Sequence, residues 1–272
     1  MYFRITHRPG VGYLVNRLLK VMSKNNVSVC MATYNGEKYI AEQLHSILTQ
    51  INTSDEVIIV DDNSCDNTIK IINSIGDSRI KIIQLKENIG HIKAFEVALS
   101  IAEKDIIFLS DQDDIWTPRK YQRVLAEFDS KDNPVLVVHG LSTINSDGEL
   151  IFSKWLSFET GLSKGLPLLA QEFIKPRVFG SASAFKISLL KLMLPFPKTL
   201  YAHDHWLLIC ASMVSDTKFL NGQYVKRRVH QNNITPTNGL NLFKKIFNRI
   251  LFIGLIFIIL FRLRKGEFNC GN

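Results

Sequence analysis

The chain has 272 residues, 46% of them hydrophobic and 21% charged, so it can bury a sizeable core and is not globally disordered. Its four cysteines are far apart with no CxxC pair, which argues against a zinc site or a disulfide framework and favours a reduced, cytoplasmic setting. The net charge is +8, but residues 1–26 carry +5, residues 222–272 carry +8 and the body between them carries −5. Because only the ends are basic, the charge pattern argues against a nucleic-acid partner.

Apolar β-branched runs alternate with helix-like stretches from residue 27 onward, after a basic N-terminal extension at 1–26. We predict strands at 27–33, 56–61, 80–85, 105–110 and 134–139, and helices at about 37–50, 67–75, 91–103 and 118–129. The strands are apolar on both faces, as expected where helices cover both sides of a sheet. The alternation predicts an α/β fold with a mainly parallel central sheet, which binds ligands beyond the carboxyl ends of its strands.

Polar residues directly follow three of the predicted strands. They are Thr33, Tyr34, Asn35 and Glu37 after the first, Asp61 and Asp62 after the second, and Asp111, Gln112, Asp113 and Asp114 after the fourth. Helix capping explains Asp66 and Thr117, but not an acidic cluster directly after an apolar strand. An Asp-x-Asp at a strand end offers the oxygen ligands that Mg²⁺ and Mn²⁺ prefer. Since neither a GxxxxGK[ST] loop nor a GxGxxG turn is present, a nucleotide would be held through its metal and its base.

Four segments within 27–130 resemble, in order and spacing, family 2 of the glycosyltransferases, which has the GT-A fold. They are VSVCMATYNGEKYIAEQLHSIL, VDDNSCDNT, ENIGHIKAFEVAL and FLSDQDDIW. The SDQDDIW form and the later HDHWL are similar to bacterial rhamnosyltransferase-like members of surface polysaccharide pathways. The resemblance implies a metal-dependent hexosyltransferase that inverts the anomeric centre. It also implies a GT-A domain at 27–239, with a nucleotide-sugar half at 27–130 and an acceptor half at 131–239.

The resemblance further implies roles for individual residues. Donor or nucleotide binding is expected of Thr33, Tyr34, Asn35, Glu37, Asp61, Asp62, Lys93, Asp111, Gln112 and Arg228. Acceptor or sugar binding is expected of Gly180, Ser181, His203, His205 and Trp206. Asp113 and His230 are expected to bind Mn²⁺ or Mg²⁺, and Asp204 is the expected catalytic base. From the residues alone, Asp204 could instead cap the apolar helix that follows it, and His230 could be a surface loop residue.

The substrates follow less directly from the resemblance. It favours dTDP-L-rhamnose as the donor, followed by UDP-sugars such as UDP-galactose, UDP-glucose and UDP-N-acetylglucosamine. The expected acceptor is a lipid-linked saccharide at the cytoplasmic face of the cell membrane. A non-catalytic relative that binds a nucleotide sugar is the alternative from another class. A nucleotidyltransferase is a further alternative, but its glycine-rich nucleotide loop is absent.

The C-terminal segment, 240–272, contains twelve consecutive apolar residues at 250–261, with three cationic side chains on either side. A membrane-spanning helix needs about 20 apolar residues, so this run is short for a span. Apolar residues with cationic flanks favour a helix that lies in an anionic lipid surface. We therefore expect a peripheral membrane protein, with a buried terminal helix and a true span as the alternatives.

Overall fold

The computed structural model describes residues 25–156, 158–174, 178–230 and 242–264. Most of the predicted basic extension therefore lies outside the described residues, as do both ends of the predicted C-terminal segment. The division into an extension, a catalytic domain and a membrane-associating segment stays a prediction.

The first half of the chain forms the parallel sheet that its sequence predicts. The strands are β1 (Val27–Thr33), β2 (Glu56–Asp61), β3 (Ile80–Gln84) and β4 (Ile106–Asp111), and the helices between them are α1 (Ile40–Leu48), α2 (Thr68–Ile75) and α3 (His91–Ser100). A short strand, β5 (Ile115–Trp116), and α4 (Lys120–Phe128) follow. The strand order is β3-β2-β1-β4, and all three pairings are parallel. The carboxyl ends of these strands therefore meet at one edge of the sheet.

The second half continues the same sheet in mixed orientation. Its elements are β6 (Leu136–Ile144), β7 (Leu150–Leu156), β8 (Gly161–Ser163), α5 (Gly165–Ile174), β9 (Ser183–Lys186), α6 (Leu190–Met193), α7 (His203–Val214), β10 (Thr217–Arg228) and α8 (Leu242–Arg264). Strand β9 lies antiparallel between β4 and β6, and β10 is parallel to β6. Within the described residues, the sheet has ten strands and is parallel in its first half, as predicted, and mixed in its second.

Helices cover both faces of this sheet, which explains why its strands are apolar on both sides. Successive residues of β1 belong to different cores: Cys30 packs towards α3, α7 and α8, and Met31 packs towards α1 and α4. The C-terminal helix α8 contributes Phe252 and Leu255 to the first of these cores. Among the described residues, one helical segment, Ile246–Arg264, is long and apolar enough to cross a membrane by these two criteria, with a mean hydropathy of 2.2.

Candidate active site

The loops after β1 and β4 are joined by the side chain of Gln112. Its Oε1 accepts hydrogen bonds from the Thr33 hydroxyl and the Tyr34 backbone N–H, at 2.5 and 2.9 Å. Its Nε2 donates to the Tyr34 carbonyl oxygen at 3.0 Å. The side chain of Tyr34 itself is 46% exposed at this edge. Gln112, predicted to bind the donor, therefore holds two predicted nucleotide-binding segments in one arrangement.

The two aspartates after β2 are buried and accept hydrogen bonds from the chain. Asp61 accepts from the backbone N–H of Ser64 at 3.0 Å and from its hydroxyl. Asp62 accepts from the backbone N–H groups of Ile89 and Gly90, at 2.7 and 2.9 Å, just before α3. Asp62 thus fixes the loop that leads into α3. The nucleotide-binding role expected of these two carboxylates remains a prediction.

Asn35 and Glu37 tie the loop after β1 to the start of α2. Asn35, which has a positive φ of 47°, accepts from the backbone N–H of Cys65 at 2.9 Å. Glu37 accepts from the backbone N–H and the side-chain amide of Asn67, at 3.0 and 2.8 Å. These contacts shape the predicted nucleotide-binding loop, with both side chains exposed at its surface.

Asp113 and His230, the two predicted metal ligands, lie side by side. The Asp113 Oδ2 and the His230 Nε2 are 2.7 Å apart, although 117 residues separate them in the sequence. The two side chains are 14% and 15% exposed, so solvent and a ligand can reach them. The fold therefore brings the loop after β4 and the end of β10 together at the carboxyl edge.

A carboxylate and an imidazole at this edge fit a cation such as Mn²⁺ that retains water and takes phosphate oxygens as further ligands. Across the described residues, no group of three or more His, Cys, Asp or Glu side chains is arranged to hold a metal ion. Asp113 and His230 are the residues that would hold it.

Asp111 faces His91, a residue that the sequence analysis did not select. The His91 Nε2 lies 3.8 Å from the Asp111 Oδ1, and the His91 ring lies 5.2 Å from that of His203. Burial raises the pKa of Asp111, but His91, together with His203 and Arg227, outweighs burial and lowers that pKa. Positive or polarisable groups therefore surround the first aspartate of the Asp-x-Asp.

A buried lysine lies beneath the same loop. Lys120 is fully buried in α4, and its Nζ donates to the Ser181 carbonyl oxygen at 2.7 Å. Burial lowers the pKa of Lys120 to about 7, while burial and the charges of Asp113 and Asp111 raise the pKa of Asp114. Lys120 thus holds the predicted sugar-binding turn from within the core, near the charges of Asp114 and Asp111.

Arg228 was predicted to contact the donor diphosphate, but here its guanidinium binds groups of the chain. Its Nη2 pairs with the Glu42 Oε2 at 2.6 Å, and its Nε donates to the Asp113 carbonyl oxygen at 3.0 Å. The guanidinium also lies 4.5 Å from the centre of the Tyr39 ring. Only 2% of Arg228 is exposed, so a direct diphosphate contact would require it to leave these partners. In this structure Arg228 supports the loop that carries Asp113.

The predicted catalytic base lies in the first turn of α7. The Asp204 Oδ1 accepts from the backbone N–H of His205 at 2.8 Å, and the side chain is partly exposed. Its neighbour His203 is stacked on Phe95 at 4.4 Å and is 7% exposed. Burial, opposed by Asp204, lowers the pKa of His203 to about 4, so this imidazole is neutral at pH 7. The His203 ring lies 5.2 Å from the ring of His91, which faces Asp111, so His203 is near both the acidic loop and the predicted base.

Three other predicted site residues contact groups of the chain rather than an open binding surface. Trp206 is fully buried, and its Nε1 donates to the Met193 carbonyl oxygen at 2.9 Å, so it is a core residue rather than part of an acceptor surface. The His205 Nδ1 lies 2.8 Å from the Tyr201 hydroxyl, on the side of α7 that faces α8. Lys93 pairs with Glu96 at 2.6 Å on the surface of α3. Apolar packing of α7 explains the position of Trp206.

Gly180 is required by the close approach of His203. A Cβ at residue 180 would lie 2.7 Å from the His203 Nε2. We expect Gly180→Ala to lower the free energy of unfolding by about 1–3 kcal/mol, because the stacked ring must move. Chemical denaturation measures this loss. In a His203→Ala background, where the ring is absent, Gly180→Ala should cost little further stability. Gly161→Ala is the control, since no atom lies within 4 Å of that Cβ; equal losses at both glycines would contradict the explanation.

Sequence signals existed for two of the residues that were missed. Lys120 occupies the same helix face as the buried Tyr121, Val124 and Leu125, a position where a cation is unusual. His91 is the first residue of a predicted helix that begins at the carboxyl edge of the sheet. No local signal pointed to Glu42, because its partner Arg228 is 186 residues away.

The chain is similar in sequence to curated proteins that are named glycosyltransferases. GlyG, a glycosyltransferase of Streptococcus pneumoniae serotype 4, is 28% identical over 173 residues, which are 61% of this chain and 56% of GlyG. WfgD of Escherichia coli is 35% identical over 96 residues, which are 35% of this chain and 38% of WfgD. Its name is UDP-Glc:α-D-GlcNAc-diphosphoundecaprenol β-1,3-glucosyltransferase. The matches span 34–56% of the length of five of the curated relatives, so the chain corresponds to only part of each.

Solved structures share the fold. The structure of S. aureus TarS 1–349 in complex with UDP has a TM-score of 0.65 and 24% identity, and the match covers 85% of this chain and 65% of TarS. The complex of the same protein with UDP-GlcNAc also has a TM-score of 0.65, with 22% identity, and the match covers 84% of this chain and 66% of TarS.

The sequence model of "Glycosyl transferase family 2" matches residues 28–192, more than half of the chain. The chain therefore belongs to glycosyl transferase family 2.

Proposed function

We propose that the protein is an inverting, metal-dependent glycosyltransferase that moves a sugar from a nucleotide-sugar donor to a saccharide acceptor during assembly of a cell-surface polysaccharide. The observation that carries this proposal is the contact between Asp113 and His230, 2.7 Å apart at the carboxyl edge of the sheet. Side chains 117 residues apart in sequence meet where this class of sheet binds its ligands. The family and the names of its relatives support the reaction type.

Asp204 would act as the base. Its carboxylate accepts the proton of the acceptor hydroxyl as that oxygen attacks the anomeric carbon from the face opposite the diphosphate. The new C–O bond forms as the bond between the anomeric carbon and the phosphate oxygen breaks, and the electron pair of the broken bond stays on the diphosphate. Because a single displacement occurs, the configuration of the anomeric carbon inverts.

The residues around the acidic loop would bind and orient the donor. Asp113 and His230 would hold the divalent cation, which when bound offsets the charge that develops on the leaving diphosphate. Arg228 and Gln112 keep the loop that carries Asp113 in place. His203, neutral at pH 7, adds a buried imidazole beside His91 and next to the base in the chain, without adding charge.

UDP-hexoses and UDP-N-acetylhexosamines are the donors that the relatives favour, because the names of WfgD and TarS specify UDP-Glc and N-acetylglucosamine transfer. dTDP-L-rhamnose, which the SDQDDIW form favours, draws no support from these names and remains a prediction. The acceptor we propose is a lipid-linked saccharide at the cytoplasmic membrane face, as the diphosphoundecaprenol in the WfgD name suggests.

A donor screen tests the proposal. Purified protein with Mn²⁺ is given dTDP-L-rhamnose or one of several UDP-sugars, together with a GlcNAc-diphosphate-lipid acceptor, and the released nucleoside diphosphate is measured. We expect release with one donor class, and loss of release on addition of EDTA. Binding of a nucleotide sugar without any release would favour a non-catalytic relative, and absence of both would overturn the proposed function. Binding is followed by the shift in melting temperature, and an equal shift with every nucleotide would count as absence of specific binding.

A further inference from the structure

The side of α8 that faces away from the domain is apolar over most of its length. Eight large apolar side chains on this side are 42–86% exposed: Phe243, Ile246, Phe247, Ile250, Ile253, Phe257, Leu260 and Phe261. They recur every three or four residues, so they form one continuous stripe, which at 1.5 Å per residue is about 27 Å long. We call these eight residues the α8 stripe. Exposed apolar surface of this extent marks an interaction site.

The opposite side of α8 is packed on the domain. Phe252, Leu255 and Ile259 are at most 3% exposed and belong to the core formed with α3 and α7. At 100° per residue, these three side chains lie on the side of the helix opposite the α8 stripe. The helix is therefore neither fully buried nor detached from the domain.

Two arginines fix α8 to the domain near both ends of this contact. Arg249 donates to the carbonyl oxygens of the last two residues of α5, at 3.1 and 3.0 Å. Arg262 donates to the carbonyl oxygens of Leu192 and Met193, at 2.6 and 3.0 Å. Carbonyl groups at helix ends lack partners within their own helix, so these bonds satisfy them. The guanidinium groups thus bind α8 to α5 and α6.

A helix attached in this way cannot cross a bilayer by itself. Its packed side would carry α5, α6 and α7, with their polar groups, into the hydrocarbon, where unsatisfied polar groups and charges are costly. The length and hydropathy of Ile246–Arg264 would permit a span, but its contacts with the domain do not. The orientation that exposes only the α8 stripe to lipid is parallel to the membrane surface.

We propose that α8 is an in-plane membrane-docking element, which inserts the α8 stripe into the headgroup and acyl boundary of an anionic bilayer. Charge favours this partner over a second copy of the chain. Lys244 and Arg264 are exposed at the two ends of the helix, and residues 222–272 carry +8. Two paired copies of α8 would bring these like charges together, whereas anionic headgroups would neutralise them.

Docking in this orientation would place the predicted base near the membrane. The Phe252 ring lies 6.2 Å from the ring of His205, the residue directly after Asp204. The first turn of α7 would then lie about one helix diameter, roughly 10 Å, from the lipid surface, within reach of an acceptor anchored in the bilayer. This consequence rests on the proposed function, whereas docking itself does not.

Vesicle flotation of the full-length chain tests the docking. We expect binding to vesicles of phosphatidylcholine and phosphatidylglycerol, with at least tenfold weaker partitioning for the double variant Ile250→Gln, Phe257→Gln. The matched control is Leu150→Gln, Phe152→Gln on β7, because these side chains are 58% and 59% exposed, close to the 61% and 67% of Ile250 and Phe257. Unchanged melting temperatures would show that both variants fold. Equal binding by the α8 variant and the wild type would overturn the proposal.

Depth measurements separate the in-plane orientation from a span. Phe243→Trp, Phe257→Trp and Phe261→Trp place a fluorophore at the ends and along the α8 stripe. Quenching by lipids brominated at different depths should place all three at the same shallow depth. A deep position for Phe257→Trp with shallow ends would indicate a span and overturn the proposal. A dimer in solution that the Ile250→Gln, Phe257→Gln variant dissociates, with vesicle binding unchanged, would assign the stripe to a second copy.

Discussion

Replacing Asp204 with asparagine should lower the rate of sugar transfer by about 10²–10⁴-fold, the range expected for loss of a general base. An asparagine Oδ1 can still accept the hydrogen bond from the His205 backbone N–H, so the first turn of α7 should remain intact. The measurement is initial release of nucleoside diphosphate at saturating donor and acceptor, together with the affinity for the free nucleotide. We expect the rate to fall and the nucleotide affinity to stay within a factor of two.

The control for this experiment is Asp129→Asn, an exposed carboxyl directly after α4 whose Oδ1 accepts a hydrogen bond from the Asn25 side chain at 2.9 Å. It removes the same charge near the start of β1, at the opposite edge of the sheet, and should leave the rate unchanged. A rate for Asp204→Asn close to that of the wild type would show that Asp204 only caps the helix. A parallel loss of nucleotide affinity would instead indicate a disturbed fold.

In the proposed mechanism Mn²⁺ increases the affinity for UDP, and replacing Asp113 with asparagine should remove most of that increase and lower turnover by about 10²–10³-fold. The reason is that the neutral amide is a poorer ligand than the carboxylate that contacts His230 at 2.7 Å. Calorimetric titration of UDP, with Mn²⁺ and with EDTA, measures the affinity separately from the reaction. In EDTA, the variant and the wild type should bind UDP equally.

His230→Gln provides the independent comparison, because it removes the other side chain of the same contact. We expect it to reduce the Mn²⁺-dependent affinity in the same direction, and the double variant to lose little more than either single variant. Full retention of the Mn²⁺ effect in Asp113→Asn would show that the cation is bound elsewhere. Additive losses in the double variant would show that the two residues act separately.

The parallel half of the fold is predictable because its signals are local. Strand β2 contains four consecutive apolar β-branched residues at 57–60, strand β1 is mostly apolar, and the predicted bounds of both agree with the structure. Strand β9 was not predicted because its four residues, Ser183–Lys186, contain no such run, and neighbours β4 and β6 determine its pairing. The mixed orientation of the second half therefore depends on tertiary contacts.

The same distinction applies to the site. Asp111 and Asp113 were predicted from their position directly after an apolar strand, and the structure places them at the carboxyl edge. Arg228 was assigned from a short sequence segment, which does not reveal that Glu42 and the Asp113 carbonyl are its partners. Trp206 was assigned from its neighbours, although its own position on an apolar helix determines its burial. Local patterns thus located the edge of the sheet, while long-range contacts determined which side chains face it.

The side chain of Gln112 has a thermodynamic consequence. It binds both the carbonyl and the N–H of Tyr34, so the loops after β1 and β4 are coupled by two hydrogen bonds through one rigid amide. A nucleotide that orders the first loop would also order the loop that carries Asp113. By linkage, any increase in cation affinity caused by the nucleotide must equal the increase in nucleotide affinity caused by the cation. Donor and cation would then bind cooperatively, because each would bind more tightly to loops that the other has already ordered.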